Sequence, residues 1–215
     1  MRIGGMDPRQ LREQTRAEHE ATEALMPLTA AGLTRDTYGG VLLTLEPLVR
    51  GWEAWAAGAA PAGLREMVQA RRRGAMLRAD LAFFGMDWRP AVPEVNWAEV
   101  VGGPEEHGQE RGEREAARFE AAFLGALYVM DGSTLGGRLI ARHVEAVLGL
   151  APGDGDAYFR GHGEATGTLW REVTGRIAEV PDALGPTVIQ AAKRTFAAFG
   201  NALRAGLPAC DGARA

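Results

Sequence analysis

Apolar residues recur at three- and four-residue intervals along most of the chain, and sustained alternation of period two is absent. Alanine, leucine, glutamate and arginine dominate these periodic segments while β-branched residues are scattered, so the pattern predicts an all-α fold. Asp7-Pro8 marks the first start, because an aspartate accepts from the orphan amides of a helix N-terminus and proline is tolerated where the first N–H needs no partner. That helix is expected to run to about Leu25, ahead of Pro27. A second opens at Thr34 and continues past Trp52, with Pro47 expected to bend or divide it by removing an intrahelical bond. Leu64 to about Phe84 reads as a third.

Asp87 to Gly112 holds Pro90, Pro93 and Pro104 with Gly102, Gly103, Gly108 and Gly112, a density of breakers that predicts a surface loop. From Arg114 to Leu150 the pattern is helical again; Phe119, Phe123, Leu124, Leu127 and Tyr128 share a face, and Gly132, Gly136 and Gly137 interrupt it. Each helical glycine costs roughly 1 kcal/mol relative to alanine, so three within six residues ask for a reason. Asp154 to about Glu179 and Pro186 to about Leu203 complete the set, the last with Val188, Ile189, Ala192, Phe196 and Phe199 at core-facing intervals. Without internal repeats, and at 215 residues, the chain suits a single domain over 1–215.

Composition narrows the function classes. A chain 46% hydrophobic and 24% charged has an ordinary globular balance and enough apolar surface for a substantial core. A net charge of -4 lacks the positive field that draws proteins onto phosphate backbones, which argues against nucleic acid as a partner. Cys210 is the only cysteine, so an intrachain disulfide and a cysteine-rich metal site are excluded, and a reducing cytoplasm fits. Met1 to Gln10 has no apolar stretch of signal-peptide type and no window approaches an uninterrupted span; a soluble, unexported protein with no membrane partner is expected.

Of four histidines, His19 lies within a clearly patterned helix, with Glu23 one turn further along the same face. A carboxylate near one ring nitrogen fixes the tautomer and leaves the other nitrogen able to hold a metal. The same spacing also describes a surface histidine beside a surface glutamate, which is the commoner arrangement. The segment Tyr128-Val-Met-Asp-Gly-Ser-Thr-Leu-Gly-Gly-Arg138 allows a helix backbone to approach a planar ligand closely, or, equally, to pack tightly on another helix or kink.

These two pieces carry a resemblance. Leu11-Arg-Glu-Gln-Thr15 with His19 and Glu23 resembles the N-terminal helix of haem oxygenases, whose histidine is the proximal haem ligand. The glycine segment resembles their kinked distal helix, Gly161-His-Gly-Glu-Ala-Thr-Gly-Thr-Leu-Trp170 resembles the bacterial members, and Val188-Ile-Gln-Ala-Ala-Lys-Arg-Thr-Phe196 is similar to the family's final helix. The order is conserved across most of the chain, and the branch that supplies biliverdin to bacteriophytochromes is the most similar. The resemblance implies a haem-oxygenase-like helical bundle in which His19 ligates iron and Glu23 supports it, while Gly132, Ser133, Gly136 and Gly137 form the catalytic distal wall. Arg12 and Arg171 would pair with haem propionates, and Phe196 would touch the haem edge, with solvent exposure and core packing as their respective alternatives. Ser133 stands where the mammalian pattern has the aspartate that organises distal water.

The implied reaction takes haem as substrate and cofactor, with O2, and gives biliverdin, ferrous iron and carbon monoxide. Electrons would come from an external ferredoxin or reductase, since no nucleotide-binding glycine fingerprint follows a strand. Arg71, Arg72, Arg73 and Arg78 read either as a docking cluster for that acidic donor or as a solvated helix face. A non-catalytic haem carrier or sensor is the competing class, and a di-iron carboxylate bundle is disfavoured because no histidine has glutamate three residues before it.

Overall fold

A computed structural model describes residues 5–86, 92–102 and 109–207, with only the backbone described over 109–111. Helix α1 (Pro8–Gln14) starts as expected, with the Asp7 side chain accepting from Arg9 N at 2.9 Å. It does not reach Leu25. Thr15 adopts φ -110° and ψ 5°, and its buried hydroxyl donates to the Leu11 carbonyl at 2.8 Å, a local bond that competes with regular winding. Helix α2 (Arg16–Glu23) follows directly.

Helix α3 (Arg35–Ala59) is capped by Thr34, whose hydroxyl accepts from Thr37 N. Pro47 does not divide it: one missing bond in 25 residues is outweighed by the buried face of Tyr38, Leu42, Leu45, Leu48 and Trp52. The third expected helix is two, α4 (Arg65–Ala70) and α5 (Gly74–Phe83). The break at Arg71–Arg73 is held from outside, because the buried Glu53 carboxylate of α3 accepts from Arg73 N at 2.6 Å and Gly74 N at 2.7 Å. That carboxylate caps α5 as a local serine or aspartate would.

The expected loop from Asp87 to Gly112 contains a short helix α6 (Trp97–Val101), and helix α7 (Gln109–Leu148) already includes its last residues. Trp97 supplies the reason: it is 2% exposed and meets Trp52 edge-on at 5.3 Å, so apolar burial orders a segment whose composition is loop-like. Residues 87–91 and 103–108, with Pro90, Gly103, Pro104 and Gly108, lie outside the described residues, as does Cys210.

Helix α7 runs unbroken for 40 residues through the glycines expected to interrupt it. Two of its glycines are packing positions, since a Cβ at Gly125 would collide with the Val188 carbonyl oxygen and one at Gly137 with that of Phe159. Backbone approaches backbone there, and the contact offsets the propensity cost. The segment expected as one helix from Asp154 is divided into α8 (Ala157–Arg160) and α9 (Thr166–Ala178) by Gly161 and Gly163, at φ +59° and +57°. Buried Asp80 of α5 caps α8, accepting from Ala157 N at 2.9 Å and Tyr158 N at 2.8 Å.

Helix α10 (Gly185–Gly206) packs along both α7 and α3, with α8 and α9 against α7 and with α2 across α10. The only strand-like pairing among the described residues is the isolated bridge Gly5–Pro181. Around Trp52, Trp55, Phe119 and Phe123 an aromatic cluster fills the α3–α7 interface, Trp55 stacking on Phe123 at 5.6 Å. No helix among the described residues is long and apolar enough to cross a membrane.

Candidate active site

On α1 and α2, Arg12, Thr15, His19 and Glu23 recur at three- to four-residue spacing and share a face. The Lys193–Glu18 ion pair at 2.9 Å ties α2 to α10, and Phe196 of α10 meets the His19 ring edge-on, with centroids 5.7 Å apart and planes at 88°. His19 Nδ1 lies 3.5 Å from Glu23 Oε2. The imidazole is therefore braced on its edge and beside one nitrogen, while its side chain stays 51% exposed. Nε2 is left for a ligand. Buried Tyr128 of α7 lies against this face; burial pushes its phenol up, while the Arg12 charge and the Thr15 hydroxyl favour the phenolate.

Below Tyr128, the positions Gly132, Leu135, Gly136 and Leu139 continue one stripe of α7. Nothing lies within 4 Å of a Cβ built on Gly136, and Leu135 and Leu139 are 46% and 70% exposed, large values for leucine. Gly132 is overlain by Trp170 of α9, whose ring is 3.4 Å from a Cβ built there and 5.1 Å, centroid to centroid, from Tyr128. Gly137 does not join this wall. Its missing side chain admits the Phe159 carbonyl, so of the three glycines it serves helix packing rather than ligand approach.

Beside Gly136 on the helix surface, exposed Ser133 donates to Met130 O at 2.8 Å and accepts from Arg73 Nη2 at 2.8 Å. Arg73 is 5% exposed, donates also to Met130 O at 2.9 Å and lies over the Tyr158 ring at 4.5 Å. Arg71, 8% exposed, donates to Leu169 O and Glu172 Oε2 and sits 3.5 Å from buried Asp131. Burial raises the Asp131 acid while Arg71 and Arg73 oppose the shift; burial and the Arg73 charge push the His162 imidazolium down. A cavity of about 20 Å³, room for one water, is lined by Arg71, Arg73, Met130 and Asp131 among others.

Neither reading of the arginine cluster fits. Arg71 and Arg73 are interior residues that join the α4–α5 turn to α7 and α9; Arg72 and Arg78 alone are exposed. Sequence reasoning missed Arg71, Arg73, Asp131 and His162 as site neighbours; the one available signal was Asp131 beside Gly132 in an otherwise apolar run. His19, Glu23 and Phe196 meet, and Arg12 lies on the same face one element earlier, where its charge acts on Tyr128. Arg171 is exposed and folded onto its own helix, donating to Gly167 O and Thr168 Oγ1.

Residues 8–205 match the family model described as heme oxygenase. The chain belongs to the haem oxygenase family. As a haem oxygenase it is an enzyme that degrades haem, cleaving it to biliverdin. No curated protein matches the sequence. The fold is similar to heme oxygenase 2 of Chlamydomonas reinhardtii, solved without haem: TM-score 0.66, 17% identity, covering 94% of this chain and 98% of that one. Heme oxygenase of Leptospira interrogans gives 0.64 at 17% identity, covering 90% and 96%. Heme oxygenase-2 of Synechocystis, solved with heme and NO, gives 0.64 at 18%, covering 92% and 83%.

The residues present suit that substrate. A half-exposed imidazole with one nitrogen uncommitted is the donor expected for haem iron, and exposed leucines beside an open glycine are the surface expected for a porphyrin face.

Proposed function

We propose that His19 is the iron ligand and that the Tyr128–Leu139 stripe of α7 covers the opposite face of the ring. The observation that carries this reading is the His19 imidazole, braced by Phe196 and Glu23 yet half exposed, on a face that abuts Tyr128 at the head of the stripe. Glu23 holds the tautomer in which Nε2 is the ligating atom, and Phe196 fixes the ring plane. Gly136 brings backbone rather than side chain toward the ring, Trp170 overlies Gly132 beside it, and Ser133 presents a hydroxyl at their flank. Arg12, exposed on the His19 face, pairs with a propionate; Arg171 does so after swinging off its own helix.

When bound, haem supplies the redox centre and the carbon that is oxidised. The chain contributes ligation, orientation and water control. The co-substrate is O2, and electrons arrive from a separate ferredoxin or reductase. A single domain over 1–215, working in the cytoplasm and passing biliverdin to a bacteriophytochrome, completes the proposal, supported by the residue resemblances along the chain.

Haem titration of wild type beside His19→Ala, followed by absorbance, tests the ligand; an unchanged spectrum in the variant overturns it. Adding ascorbate and oxygen to the wild-type complex tests turnover. Loss of the Soret band with biliverdin formation is expected, and a stable oxygen complex would instead make the protein a carrier or sensor.

A further inference from the structure

Distal walls that steer an anionic iron ligand need positive charge or hydrogen-bond donors close to it, and Ser133 by itself offers one neutral hydroxyl. Behind that hydroxyl lies a charge. Arg73 is 5% exposed, and among the described residues no carboxylate lies within ion-pair distance of its guanidinium. Nearby Asp131 lies against Arg71, which has Glu172 as well. The counter-charge Arg73 feels from Asp131 is shared with Arg71 and lies beyond ion-pair distance; a buried cation compensated so weakly costs folding free energy, so its retention asks for a use.

We infer that Arg73 is a positioning residue that polarises the distal wall from behind α7, holding the Ser133 hydroxyl and directing positive charge toward anionic ligands of the haem iron. The geometry fixes the guanidinium before any ligand arrives. Glu53 pins the Arg73 and Gly74 amides, and the guanidinium donates to Met130 O, Ser133 Oγ and Tyr158 O while resting on the Tyr158 ring. The Met130 carbonyl receives hydrogen bonds from both Arg73 and Ser133. The Ser133 hydrogen is thereby free to rotate onto a distal anion without orphaning that carbonyl, and the Arg73 bond to Ser133 Oγ makes the hydroxyl a stronger donor as it turns.

This inference rests on the reading of His19 and α7 as the two haem faces. The test is ligand binding to the ferric haem complex of the full chain, with azide as the anionic probe and imidazole as a neutral control. Arg73→Met should weaken azide about tenfold and leave imidazole unchanged, whereas Arg73→Lys, which keeps the charge, should recover most of the loss. Ser133→Ala, at an exposed position, should weaken azide about threefold, and it carries the test if Arg73→Met does not fold. Equal effects on azide and imidazole, or unchanged azide affinity in Ser133→Ala and in a folded Arg73→Met, overturn the inference. An unchanged haem spectrum in His19→Ala would instead remove the reading on which it rests, so the two failures are distinct.

Discussion

The two walls of the proposed haem site are built on opposite principles. The proximal wall is local: Arg12, Thr15, His19 and Glu23 come from one short stretch of chain, their spacing alone puts them on one face, and His19, the proposed ligand, stands half in solvent. The distal wall is assembled from afar. Ser133 is held by Arg73, 60 residues earlier, Asp131 faces Arg71, and the helix behind them is seated by Gly137 against Phe159 of a later helix. An exposed ligand tolerates substitution without loss of fold, while a polar group buried behind a helix is tied to stability. Function and folding are therefore separable on one side and entangled on the other.

Variants can break or sharpen that contrast. The largest functional effect is expected from His19→Ala, which should abolish the histidine-ligated haem spectrum while leaving the melting temperature of the haem-free protein within a degree or two, because an exposed side chain contributes little to the core. On the distal side the order reverses. Asp131→Ala should destabilise the haem-free protein by about 3 kcal/mol in urea unfolding, since it strips the interior Arg71 of its buried carboxylate and leaves the half-exposed Glu172 as its counter-charge. A loss below about 1 kcal/mol would show that the Arg71–Asp131 contact does not hold the wall.

Among the glycines, Gly137→Ala should cost roughly 2 kcal/mol, because the new Cβ meets a carbonyl that cannot yield without moving α8. Gly136→Ala, with open space around its Cβ, should leave thermal stability equal or slightly raised and change haem affinity instead. Equal stability losses in the two variants would erase the distinction between a packing glycine and a haem-facing one.

The smallest effect concerns pH. Asp156 is buried beside Glu145, and both carboxylates hold Arg160. Burial, with Glu145 sharing a proton, pushes the Asp156 acid up to about 6 from an ordinary 3.8. The folded state thus binds that proton more tightly than the unfolded chain does. Its stabilising contribution is complete below the ordinary value and is lost as pH rises through about 6. Melting temperatures from pH 4 to 7 should accordingly shift in favour of Asp156→Asn over wild type as pH rises, and a constant difference would contradict the shared proton.

Much of this was legible in the residues. The helical class followed from periodicity, the start of α1 from Asp7-Pro8, and the His19–Glu23 pairing from its four-residue spacing, because all three depend on interactions within four residues of chain, while Arg12 was placed beside them by the family resemblance. Phe196 joined His19 only by the family resemblance, and the geometry then brought them within 5.7 Å. The arginines were misread for a physical reason. A run of three looks solvated in one dimension, and nothing nearby in sequence supplies the Leu169, Met130 and Tyr158 carbonyls that satisfy two of them inside the protein.

By itself the sequence determined that the long periodic segments are helical and that His19 and Glu23 share one face of α2, since both are settled by short-range geometry. Tertiary structure alone decided that α4 and α5 part at Arg71–Arg73, that Trp97 turns a loop-like stretch into α6, and that Gly137 packs while Gly136 stays open. Each of those outcomes turns on a partner far away in the chain: a carboxylate capping another helix, a ring filling a gap, a carbonyl passing a missing Cβ. Local pattern cannot register a contact until folding has brought its second half into place.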